Sequence, residues 1–202
     1  MLYRNREKFN PLSVKIGIVF SKLPLSANAW TLLTILPAIV ALWYLVREQF
    51  LLAALFFIVA SFIDVIDGAV ARVTGTTSKL GAYLDTVVDR YVEGIIIFGL
   101  LFAMLPDWLL PIRAWLFLYF FGAFMTTYAK AAAKEKELLP NELKGGLLER
   151  AERLLLLFIG ILLAAWNPLW LTGIVAALAV LTNLSALQRI GIAVRFAKRL
   201  RE

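Results

Sequence analysis

The stretch Phe62–Glu93 reads F-I-D-V-I-D-G-A-V-A-R-V-T-G-T-T-S-K-L-G-A-Y-L-D-T-V-V-D-R-Y-V-E and holds Asp64, Asp67, Asp85 and Asp89, four of the chain's five aspartates. Apolar runs enclose it, Leu51–Ile63 before and Gly94–Met104 after. Acids among membrane-spanning residues are expensive unless paired, solvated or bound to metal, so their presence points to function. Asp64 and Asp67 stand three apart, Asp85 and Asp89 four apart, and on helices each pair shares a face. Gly75, Thr76, Thr77 and Ser78 between the pairs suit a tight reversal. Two antiparallel helices joined there would aim both pairs into one gap.

Outward from this stretch, the chain is that of an all-α integral membrane protein. Of its 202 residues 61% are apolar and only 17% charged, well beyond a globular composition. Several runs reach the roughly 20 residues that cross a bilayer as a helix. Six spans are expected, near Ala27–Val46, Phe50–Val73, Leu80–Met104, Trp108–Ala133, Leu147–Trp166 and Leu169–Ile190. Residues 1–23 read as an amphipathic juxtamembrane helix, since Pro11 and scattered Lys and Arg interrupt any signal-peptide core. Residues 24–190 form the six-helix bundle and 191–202 a basic cytoplasmic tail, all one domain over 1–202.

Charge placement orients the bundle. With the N-terminus in the cytoplasm, only Arg47 and Arg113 of the 21 Lys and Arg residues lie outside. That asymmetry predicts an N-in, C-in multi-pass protein of the cell membrane, with the acids at the cytoplasmic face. The net charge of +7 follows from the same bias, so no nucleic-acid partner is expected. Cysteine and histidine are absent, which excludes thiol nucleophiles, His bases and the usual zinc and haem ligands.

Carboxylate-only ligation suits hard cations such as Mg²⁺ or Mn²⁺ held together with substrate phosphates. Two such ions would neutralise most of the acid charge and clamp a diphosphate during in-line displacement. Gly68 and Gly81 leave room for close approach of a helix or a phosphate, and Arg72 stands where it can meet an anion. Two other readings take the acids as a helix-packing network with Arg72, Lys79 and Arg90, or as the site of a cation transporter. The first sets four acids against three bases, a costly way to hold helices together, and the second leaves the spacing of the glycines and Arg72 unexplained.

The pattern D-x2-D-G-x2-A-R-x8-G-x3-D-x3-D is met without departure by Asp64, Asp67, Gly68, Ala71, Arg72, Gly81, Asp85 and Asp89. It resembles the signature of the CDP-alcohol phosphotransferases, membrane enzymes of phospholipid synthesis. The resemblance implies transfer of a phosphatidyl-type group from a CDP-linked lipid to a small alcohol, with release of CMP. It further implies that Asp64, Asp67, Asp85 and Asp89 hold two Mg²⁺ or Mn²⁺ ions, with Asp89 also the base on the attacking hydroxyl. Gly68, Arg72 and Ser78, with Asn28, Ala29, Trp30 and Thr31, match positions that the family uses for the CDP moiety. Relatives are generally homodimers, and the same is expected here. A catalytically dead scaffold of this fold is at odds with the intact motif.

The acceptor is read from other residues. Lys130, Arg153 and Arg189 fall at predicted cytoplasmic span ends, where together they would form a pocket for a phosphate on the alcohol. The context E-R-A-E-R-L, with Gln188-Arg189 later, resembles the phosphatidylinositol-phosphate and archaetidylinositol-phosphate synthases. Inositol 1-phosphate is therefore the expected acceptor and glycerol 3-phosphate the alternative. Serine and unphosphorylated inositol would leave the basic cluster without a phosphate.

Overall fold

A computed structural model describes residues 6–138 and 147–199. Residues 1–5, 139–146 and 200–202, which include the start of the juxtamembrane segment and the end of the basic tail, lie outside the described residues. Eight helices and no strand occur among those described. The chain divides into two compact units, Met1–Ala103 and Met104–Glu202.

The first unit holds α1 (Arg6–Phe20), α2 (Ala27–Leu33), α3 (Ile35–Val46), α4 (Phe50–Val73) and α5 (Lys79–Leu100). Helix α4 packs against α1, α2 and α3, and α5 against α2 and α3. The expected first span is broken in two at Thr34. Pro37 explains the break: it has no N–H to give Leu33, and its ring crowds that carbonyl. Thr34 turns its hydroxyl back onto the Thr31 carbonyl at 2.6 Å.

Helix α4 buries Ala53, Ala54, Phe57 and Ala60 while exposing Leu51, Leu55, Ile58, Phe62 and Val65. Alanines line much of the buried face, Phe57 excepted, and large apolar residues lie outside, as in a helix that packs within lipid. Among the described residues, three stretches are long and apolar enough to cross a membrane: Ala27–Val46, Phe50–Val73 and Pro168–Ala197.

The second unit holds α6 (Ile112–Glu135), α7 (Arg150–Ala164) and α8 (Pro168–Arg199), with α8 packed on both others. Helix α6 starts four residues later than expected. Pro111 sits at its N-cap, and Asp107 Oδ1 accepts the Ile112 N–H at 2.8 Å in place of a preceding turn. Helix α8 continues past Ile190 into the predicted tail, where Ala193 packs on Ala133 of α6.

The α6–α8 crossing depends on Gly122. A Cβ there would lie 2.5 Å from Thr182 Oγ1 and 2.8 Å from the Asn183 backbone nitrogen. That closeness lets Asn183 Nδ2 donate to the Leu118 carbonyl at 2.8 Å. Gly122→Val is expected to lower stability by about 1–3 kcal/mol, as overpacking does. A reduced Tm in detergent, set against an unchanged or raised Tm for Gly173→Ala, checks it; a Cβ at Gly173 meets nothing within 4 Å, and alanine favours the helix.

Candidate active site

Helix α4 ends through its own chemistry. Thr74 is the C-cap, Gly75 takes the left-handed φ of +67°, and the Thr76 N–H reaches back to the Ala71 carbonyl at 3.0 Å. This is a Schellman closure, and a residue with a Cβ would resist that φ. Three residues on, Ser78 caps α5 by accepting the Gly81 N–H at 3.0 Å. The reversal is therefore short, and it brings the end of α4 and the start of α5 near one another.

The consequence is a convergence of acids. Asp64 and Asp67 from α4 and Asp85 from α5 each offer a carboxylate oxygen, and these oxygens lie within 4.8 Å of one another. Such a donor set, three hard oxygens from two helices, fits a divalent ion of the Mg²⁺ or Mn²⁺ type. Asp89 is not part of that triplet. It lies one turn deeper on α5 and is 8% exposed. A further turn on is Glu93, 2% exposed, which accepts from Arg90 Nη1 in an ion pair. Glu93 was not among the expected site residues, although its i, i+4 spacing from Asp89 places it on the same face.

Helix α2 supplies the polar neighbours. Ser26 caps it by accepting the Ala29 N–H at 3.2 Å, which aligns Asn28 to Thr31 along the first turns. Thr31 Oγ1 donates to Asp67 Oδ2 at 2.6 Å, a buried bond across 36 residues of chain. Asn28 approaches α5 at Gly81, where a Cβ would lie 3.2 Å from Asn28 Oδ1 and equally close to Ser78 Oγ. Trp30 is buried beside Ile66 and Val70, while Ala29 is half-buried. Asn28 of α2 thus stands beside Ser78 and Gly81, far along the chain from it.

Arg72 lies over Gly68, whose Cβ would be 3.1 Å from Arg72 Nη1. The guanidinium also donates through Nη2 to Ser13 Oγ of α1 at 2.7 Å. Ser13 carried no signal in the sequence. Its helix seats on α4 at Gly17, where a Cβ would lie 2.5 Å from the Ala69 carbonyl oxygen.

The Thr31 bond carries a prediction. Outer partners that orient a ligating carboxylate typically account for 10–100-fold in metal affinity or activity. Thr31→Val should therefore raise the Mg²⁺ concentration for half-maximal activity by about 10-fold or more, with Thr31→Ser near wild type. A metal titration with an unshifted midpoint would refute the role.

Two of the three cations expected at the acceptor, Arg153 and Arg189, meet on one residue of α6. Arg153, at the start of α7, is 2% exposed, and its Nη1 donates to Thr126 Oγ1 of α6 at 3.0 Å. Arg189 of α8 donates through Nη1 to the Thr126 carbonyl at 2.7 Å. Lys130 stands one helical turn beyond Thr126 on α6 and is half-buried. The start of α7 is held by Glu152, which accepts the Glu149 N–H at 3.1 Å, and by Ser185 of α8, which accepts the Leu148 N–H at 3.1 Å.

Residues 25–185 match the CDP-alcohol phosphatidyltransferase family, so the chain belongs to that family. It is 31% identical over 165 residues to the archaetidylinositol phosphate synthase of Pyrococcus horikoshii, covering 82% of this chain and 84% of that one. Its fold is that of the Mycobacterium tuberculosis phosphatidylinositol phosphate synthase with CDP-DAG bound, at a TM-score of 0.78 and 23% identity, covering 91% of this chain and 94% of that one. The same enzyme in complex with manganese and citrate aligns at a TM-score of 0.79 and 24% identity, over 90% of this chain and 88% of that one. As a family member the protein is a transferase of phospholipid biosynthesis acting on substituted phosphate groups.

Proposed function

We propose that the protein transfers a phosphatidyl-type group from a CDP-linked lipid to the hydroxyl of inositol 1-phosphate, releasing CMP. The observation that carries the acceptor is the meeting of Arg153 and Arg189 on Thr126, one turn from Lys130. Two guanidiniums and an ammonium gathered on three helices suit a phosphomonoester, which arginine recognises through planar paired donors. The name of the Pyrococcus relative points the same way.

In this reading Asp64, Asp67, Asp85 and Asp89 hold two divalent cations, which would supply charge neutralisation at the donor diphosphate. Asn28, Ala29, Trp30, Thr31, Gly68, Arg72 and Ser78 hold the CDP moiety, Arg72 facing its phosphates. The Asp89 carboxylate takes the proton of the acceptor hydroxyl, whose oxygen attacks the lipid-bearing phosphorus. The bond from that phosphorus to the oxygen it shares with the CMP phosphate breaks, and CMP leaves carrying that oxygen. Lys130, Arg153 and Arg189 bind the acceptor's own phosphate. The surrounding architecture is a single domain of six spans, N-in and C-in, with the juxtamembrane helix at the cytoplasmic surface, the site open to the cytoplasm and the protein a homodimer. Glycerol 3-phosphate is the second reading, because the same cationic cluster would take its phosphate.

Purified protein given a CDP-lipid and a panel of alcohols with and without phosphate tests this by CMP release. Inositol 1-phosphate should be preferred over inositol by orders of magnitude. Arg153→Ala should raise the KM for inositol phosphate by roughly 10–100-fold, the range of a hydrogen bond to a charged group. The KM for the CDP-lipid should move little, and equal effects on both would tell against the pocket.

A further inference from the structure

We propose that Thr126 is a positioning residue that fixes the geometry of the acceptor-phosphate pocket, an inference that rests on the reading of Lys130, Arg153 and Arg189 as that pocket. Thr126 is 1% exposed and serves two cations through two different groups. Its hydroxyl donates its single proton to the Ala123 carbonyl at 2.7 Å. The lone pairs of that oxygen are thereby turned to accept from Arg153 Nη1 at 3.0 Å. Its main-chain carbonyl accepts from Arg189 Nη1 at 2.7 Å.

A guanidinium is planar and rigid, so one well-directed bond restricts the plane in which its remaining donors lie. Held in this way, Arg153 and Arg189 enter the pocket with the angle between their planes set by one residue of α6. A phosphate bound there does not have to order two long side chains, and so binds without that entropic loss. Thr126 also lies four residues before Lys130, so the third cation rises from the same face of the same helix. Selectivity for an acceptor with a phosphate over one without it would then depend on a residue that need not touch the substrate.

The two attachments are chemically separable. Thr126→Val removes the hydroxyl, keeps the shape, and leaves the carbonyl that holds Arg189. It should raise the KM for inositol 1-phosphate about tenfold, the lower range for losing a hydrogen bond to a charge, with kcat and the KM for the CDP-lipid within about twofold. Thr126→Ser should return the acceptor KM to wild type, which a role in filling space alone would not predict.

In an Arg153→Ala background the Thr126→Val change should add nothing, whereas in an Arg189→Ala background its full effect should persist. Glycerol 3-phosphate run in parallel should show the same rise if it is a substrate, since the phosphate is what is read. An unmoved acceptor KM in Thr126→Val, or a full further loss in the Arg153→Ala background, overturns the inference while the pocket stands. Should the wild-type protein prefer alcohols without phosphate, the pocket and this inference fall together.

Discussion

Chelating divalent cations is expected to abolish CMP release, and adding back Mg²⁺ or Mn²⁺ to restore it. Asp64, Asp67 and Asp85 bring carboxylate oxygens within 4.8 Å of one another. At that separation each ionised pair repels by about 3 kcal/mol at an effective dielectric of ~20. Left to themselves, these groups would also repel the diphosphate that the transfer requires. A hard cation converts the same oxygens into an attractive site, and its contribution to transition-state charge is several kcal/mol. The loss on chelation should therefore exceed about 10³-fold. A second readout avoids activity altogether: Mg²⁺ should raise the Tm of the wild-type protein and not that of Asp67→Asn, by the linkage of binding to folding. Turnover that persists in excess chelator would remove the metal from the reaction.

Asp89→Asn should reduce kcat by about 10²–10⁴-fold, the usual contribution of a positioned base. The substitution keeps the volume of a side chain that is buried on α5, so the fold and the CDP-lipid KM should be largely preserved. Its place one turn beyond the triplet, and one turn before the Glu93–Arg90 ion pair, fits a carboxylate that acts as the base in addition to holding a cation. Asp85→Asn is the control, because that residue belongs to the convergent triplet. Raising Mg²⁺ should partly rescue Asp85→Asn and leave Asp89→Asn inactive. Rescue of Asp89→Asn by metal, or its wild-type turnover, would take the base assignment away.

Much of the first unit's site was legible along the chain. The three- and four-residue spacings of the aspartates state a shared helix face, and Gly75 with Ser78 states where one helix stops and the next begins. The motif spanning Asp64–Asp89 resembled the family that the match over residues 25–185 then showed. The expected single span Ala27–Val46 passed over Pro37, although a proline inside an apolar run marks a break near the preceding turn. The bonds that organise the polar groups were not legible. Thr31 reaches Asp67 across 36 residues, Ser13 reaches Arg72 across 59, and Arg189 reaches Thr126 across 63. No periodicity encodes such pairings.

Residue types and spacing thus determined that the chain is helical, strongly apolar, armed with clustered acids and marked by its family's motif. These properties are local: helical hydrogen bonds close within four residues, and a run's apolarity is a sum over its own side chains. Tertiary structure decided which polar side chains meet, and it did so through how closely helices approach. Gly17 against Ala69 and Gly122 against Thr182 allow contacts that a Cβ would block. Only at that separation do Ser13 come within reach of Arg72 and Asn183 within reach of the Leu118 carbonyl.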